Sequence, residues 1–165
     1  MFFTTLSTLA LLGATALAAP TDLATRANQM CGQYQQQSSG PYTLSTNGWS
    51  WSSGKGSQCS QINSLNGNTI SWSTTWSWAN TPTQVKSYTN VITGIAKKKL
   101  SVYKSIPTAW KWGYTGTGLR ANVAYDMFIG SSPNGANTFE VMVWLGLLGD
   151  VSPLSANGYP FVSEQ

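Results

Sequence analysis

The chain has 165 residues with nine basic and five acidic side chains, no histidine, and a formal charge of +4. That length suits one domain with a real core, while a charged fraction of only 8% is not the composition of a nucleic-acid binder. Eight Trp, seven Tyr, five Phe and sixteen Gly amid Ser, Thr and Asn describe instead an all-β sandwich or barrel.

In chain order, Leu6 to Ala19 is apolar and small, and Ala16-Leu17-Ala18 offers a small-x-small cleavage site. Residues 1–18 therefore read as a secretory signal peptide cut after Ala18 or Ala19. The run is too short to span a bilayer and no later run approaches membrane length, so a secreted, soluble, extracellular product with no membrane partner is expected. Residues 19–30 read as a short leader or disordered arm. Cys31 and Cys59 are the two cysteines, and in an oxidising compartment they have one possible pairing. Closing that loop stabilises a fold by roughly 3–4 kcal/mol on the chain-entropy model. A metal is a poor alternative without histidine or a second cysteine pair, and no metal or other cofactor is expected.

Tyr42 to Trp51 reads as a strand running into a type I′ hairpin turn at Asn47-Gly48, with Trp49 and Trp51 on one face beyond it. Ser52 to Gln58 reads as a Ser/Gly loop, and Asn63 to Asn68 carries turn chemistry. In the strand from Thr69, Trp72, Trp76 and Trp78 share one parity, more in the manner of a packed layer than of a binding platform. A turn at Asn80 to Thr83 precedes a strand over Val85 to Ile92. Thr93 to Lys104 reads either as a strand broken by Lys97-Lys98-Lys99 or as a short helical turn, the lysines themselves as a solvated loop or a blunted sheet edge. Trp110 and Trp112 follow on one face, with Lys111 opposite.

The last hairpin matters most. In its first strand Ala121, Val123, Tyr125, Met127 and Ile129 form one face, while Arg120, Asn122, Ala124, Asp126 and Phe128 form the other. A loop of turn formers at 130–138 leads to the second strand. There Phe139, Val141, Val143 and Leu145 face one way, expected to anchor in a hydrophobic core, and Glu140, Met142 and Trp144 face the other. On parity alone Glu140 is as well read as a surface carboxylate beside two residues of a second packed layer. The two strands are expected to pair antiparallel, which brings Asp126 close to Glu140.

The carboxylates are Asp22, Asp126, Glu140, Asp150 and Glu164. Retaining glycoside hydrolysis needs two, about 5–5.5 Å apart across the sugar, one attacking the anomeric carbon and one protonating the leaving oxygen. A Glu on a tryptophan-lined strand face with an Asp on the next strand supplies half of that machinery. An Asp beside the nucleophile would hold its orientation.

The sequence resembles the family 12 glycoside hydrolases, small endo-β-1,4-glucanases and xyloglucanases. The matching stretches are CGQY at 31–34, PYTLSTNGW at 41–49, GSQC at 56–59, SLNGNTISWSTTWSW at 64–78, VKSYTN at 85–90, SIPTAWKWGYTGT at 105–117, VAYDMF at 123–128 and FEVMVWLGLLG at 139–149. The resemblance implies an all-β jelly-roll sandwich of two curved antiparallel sheets with an open substrate cleft. It implies Glu140 as nucleophile, Asp126 as the residue orienting it, and Asn47, Trp49, Met142 and Trp144 as substrate-binding residues. It also implies a Cys31–Cys59 disulfide, and it makes 31–165 the catalytic domain. Trp49 is followed by Ser50 where the family commonly has Gly.

The family's acid/base Glu lies downstream in a strand near the carboxyl terminus. Glu164 sits in a tail, FVSEQ, that matches no such motif. The acid/base residue and C-terminal strands are thus expected to be absent from a truncated domain. The expected partner is a β-1,4-glucan, whether cellulose, mixed-linkage glucan or xyloglucan, bound by a monomer. The alternatives are an inactive fragment or a non-catalytic β-glucan-binding jelly roll.

Overall fold

The computed structural model describes residues 28–153. The expected signal peptide, most of the expected leader, and Glu164 lie outside the described residues. The described chain is all-β with antiparallel pairing, and its only helical elements are two 3-10 turns, Trp51–Ser53 and Leu100–Val102. No helix among the described residues is long and apolar enough to cross a membrane. The chain divides into two compact units, Met1–Thr93 and Gly94–Gln165.

The first unit contains a three-stranded sheet and a long hairpin. In the sheet, β2 (Tyr42–Ser45) lies between β1 (Gln36–Ser39) and β5 (Asn90–Thr93). The hairpin pairs β3 (Lys55–Asn66) with β4 (Thr69–Ala79) through a turn in which Gly67 takes a φ of 57°. Along β4 the even-numbered residues, Trp72, Trp76 and Trp78 among them, are the more covered ones, as a packed layer requires. The core of the unit is small and largely polar. Leu44 and Met30 are its buried apolar residues, beside the buried Thr46, Gln58 and Ser60.

Cys31 and Cys59 are bonded to each other. Met30, expected to end the leader, is instead 8% exposed and bridges Ser60 in both directions, at 2.8 and 2.9 Å. The disulfide one residue away holds that bridge in place.

Several local expectations fail in this unit. Asn47-Gly48 does not make a hairpin, because its backbone is captured from elsewhere: Gly48 N–H donates to Gln33 O, and Tyr88 N–H donates to Asn47 O. Asn47 alone of the pair has a positive φ, 39°, whereas a type I′ turn needs two. Trp51 is accordingly not on a strand with Trp49. It opens a 3-10 turn and packs edge-on against Trp78, ring centroids 5.0 Å apart. The expected loop before Cys59 is already β3 from Lys55, and the turn chemistry at 63–68 narrows to Gly67 and Asn68. The strand expected over 85–92 pairs only at its end, as β5.

In the second unit the ambiguous stretch after Thr93 contains a short helical turn. The expected hairpin forms between β6 (Ala121–Gly130) and β7 (Asn137–Leu148), antiparallel, with bulges that leave Leu145 and Thr138 without a Cα partner. One expectation is reversed here. Phe139, Val141, Val143 and Leu145 are 38–64% exposed, while Met142 and Trp144 are on the more covered side. Alternation identifies residues that share a face. It carries no information on what covers that face.

Candidate active site

The register of the second hairpin builds the site. Phe128 stands directly opposite Glu140, and Asp126 opposite Met142. Cross-strand partners point to the same side of a sheet, so Asp126, Phe128, Glu140 and Met142 share one face, together with Trp144 opposite Ala124. Asp126 and Glu140 are therefore diagonal neighbours, close enough for their carboxyl groups to share a hydrogen bond. Two carboxylates cannot share one without a proton between them. Asp126 accordingly titrates above its ordinary value of 3.8, first because the partial covering of an otherwise exposed side chain disfavours its charge, then because of the Glu140 charge and that hydrogen bond. Glu140 itself is exposed.

Met142, across from Asp126, and Trp144 beyond it continue the face, both half-buried, and the indole N–H of Trp144 is covered and has no hydrogen-bond partner. The opposite face of β6 is buttressed by the segment before it. The Tyr125 hydroxyl lies 3.0 Å from Thr108 Oγ1, and the Trp110 ring lies 5.3 Å from that of Tyr125. Trp112 covers Gly146 so closely that a Cβ there would lie 2.5 Å from the indole Cη2.

Of the sequence-predicted residues, Glu140, Asp126, Met142 and Trp144 thus come together on one sheet face. Asn47 and Trp49 lie in the other unit, where Trp49 is 69% exposed and accepts at its carbonyl from Tyr34 Oη, 3.5 Å away. Among the described residues the remaining acid is Asp150, just past β7. Eight residues of extended strand, about 26 Å at about 3.3 Å each, separate Glu140 from Leu148. Asp150 therefore does not supply a second carboxyl across a sugar. A hollow of about 240 Å³ lined by Tyr114, Leu119, Leu147 and Gly149 lies at that same end and contains no carboxylate. No group of His, Cys, Asp or Glu among the described residues is arranged to hold a metal.

Phe128 is a further residue of this face. It is 57% exposed and directly opposite Glu140. The signal was present in the shared parity of Phe128 with Asp126.

The sequence profile described as glycosyl hydrolase family 12 matches residues 40–163. The chain is 46% identical over 149 residues to a probable xyloglucan-specific endo-β-1,4-glucanase A of Aspergillus fumigatus, covering 90% of this chain and 63% of the relative. It is 41% identical over 150 residues to the xyloglucan-specific endo-β-1,4-glucanase A of Aspergillus aculeatus, covering 91% and 63%. Among solved structures it superposes on the Trichoderma harzianum endoglucanase 3 with a TM-score of 0.73 and 41% identity, over 78% of this chain and 59% of that one. It matches the catalytic domain of Humicola grisea Cel12A, solved with a soaked thio-cellotetraose, at a TM-score of 0.73 and 34% identity over the same shares. The chain thus spans about 63% of the length of the curated relatives it matches.

Proposed function

We propose, from the premise that this chain belongs to glycosyl hydrolase family 12, that it acts on β-1,4-glucosidic bonds of a β-glucan by retaining double displacement with Glu140 as nucleophile. The relatives' names favour xyloglucan as the glucan. The observation that carries the reading is the carboxyl pair: an exposed Glu140 sharing a hydrogen bond with an Asp126 that titrates above its ordinary value. Protonated, Asp126 donates to the Glu140 carboxylate and fixes which oxygen points outward. The free oxygen bonds to the anomeric carbon as the C1–O bond to the leaving sugar breaks, and that leaving oxygen takes a proton from an acid across the sugar. Water then attacks C1, loses a proton and releases Glu140 as carboxylate. Asp126 is unsuited to be the acid, since its proton is engaged with the nucleophile. The apolar run Leu6 to Ala19 supports a secreted product.

A substrate with an aryl leaving group of low pKa needs no acid, which separates the nucleophile from its partner. A dinitrophenyl 2-deoxy-2-fluoro-cellobioside should add one glycosyl mass to the chain, on Glu140, and nothing to Glu140→Gln. An unlabelled wild type, or label elsewhere, would sink the assignment.

A non-catalytic β-glucan binder is the second reading, favoured by the exposed rings of Trp49 and Tyr34, 69% and 66%. Retention on insoluble β-glucan that survives Glu140→Gln and is lost in Trp49→Ala supports it.

A further inference from the structure

The Trp49 ring is exposed, but the backbone that aims it is clamped from within. Gln58 of β3 is 3% exposed, and its amide is fully engaged in directions that converge on one peptide. Gln58 Nε2 donates to Thr46 O at 3.0 Å and to Thr89 Oγ1 at 2.6 Å, and Gln58 Oε1 accepts from Ser87 Oγ. Thr89 Oγ1 in turn donates to the same Thr46 carbonyl at 3.3 Å, with Ser60 Oγ 3.4 Å from it. Thr46 is wholly buried. Two donors thus fix the plane of the Thr46–Asn47 peptide.

The next residue needs that restraint. Asn47 has a φ of 39°, in the region that disfavours side chains, and its carbonyl accepts from Trp49 N–H and Tyr88 N–H, both at 2.9 Å. The peptide held by Gln58 therefore sets the turn, and the turn sets the direction of the indole two residues on. A leucine at 58 would fill the volume without the donors, leaving the Thr46 carbonyl with Thr89 alone and freeing the peptide to rotate.

We propose that Gln58 is a positioning residue for Trp49, acting on sugar binding through the Thr46–Asn47 peptide without touching the ligand. The proposal rests on the reading of Trp49 as a glucan-stacking ring, and the two fail in different ways.

The test is a double-mutant cycle on the full chain, with retardation in native gels containing soluble xyloglucan as the readout. Gln58→Leu should weaken retardation about five- to tenfold, with near-UV circular dichroism unchanged at the assay temperature. In a Trp49→Ala background the same substitution should change nothing further. Thr89→Val removes the second donor and should repeat the pattern with a smaller loss, and it decides the matter if Gln58→Leu does not fold. Substitutions at 58 and 89 that lower the melting temperature yet leave retardation intact would overturn the proposal, as would losses that add in full to that of Trp49→Ala. A wild type that is not retarded, or a Trp49→Ala retarded like wild type, overturns the Trp49 reading and the proposal with it.

Discussion

The unit ending at Thr93 holds every residue that is fully buried among those described, and the unit beginning at Gly94 holds the candidate carboxylate pair. In the first, a disulfide, one buried leucine and a polar network around Gln58 fix a turn from several sides. In the second, a two-stranded ribbon carries an apolar face that is 38–64% exposed. Order in the first comes from long-range partners; in the second the strand register alone places Asp126 beside Glu140. The same kind of substitution should therefore be costly in one unit and nearly silent in the other.

The largest effects are expected in the first unit. Breaking the Cys31–Cys59 bond with Cys59→Ser should lower unfolding free energy by about 3–4 kcal/mol, since it frees a loop closed across 28 positions. Leu44→Ala, at a site with no exposure, should cost about 3 kcal/mol. Val141→Ala, at a site 41% exposed, should cost less than about 1 kcal/mol. Denaturant midpoints of the three variants measure the contrast. A Val141→Ala cost equal to that of Leu44→Ala would show that the apolar face of β7 is covered in solution.

An intermediate effect is expected where the second unit does pack closely. Gly146→Ala places a Cβ 2.5 Å from Trp112 Cη2, so the indole has to leave the strand. The cost should be about 1–2 kcal/mol, with a change in near-UV circular dichroism from the moved ring. Trp112→Leu should largely relieve it, which distinguishes ring displacement from a general intolerance of β7.

How much the sequence discloses follows the same division. The second hairpin was legible because two alternating runs, Ala121 to Ile129 and Phe139 to Leu145, flank a loop of turn formers, and local pairing of consecutive strands did the rest. The carboxyl pair was legible with it. The conformation of Asn47-Gly48 is not legible, because Gln58, Gln33 and Tyr88 decide it through bonds spanning 12, 15 and 41 positions of the chain, and such partners leave no local mark. The exposure of the β7 apolar face was not legible either, because alternation is blind to what lies above a strand.

The smallest effect, and the one that bears most directly on the carboxyl pair, concerns pH. Asp126 titrates above its ordinary value of 3.8 in the folded chain, so the folded state holds its proton more tightly than the unfolded state does. Stability from this group is therefore fully present below that ordinary value and is lost as pH rises through the higher folded value. Asp126→Asn keeps a donor toward Glu140 but removes the titration, so its unfolding free energy should fall less over that window than the wild type's. Because Asp126 is exposed, the change in slope should be small, and salt should shrink it further. Identical slopes for wild type and Asp126→Asn would mean that the two carboxyl groups do not share a proton. The proposed role of Asp126 in aiming Glu140 would then fall, while Glu140 would keep its place opposite Phe128.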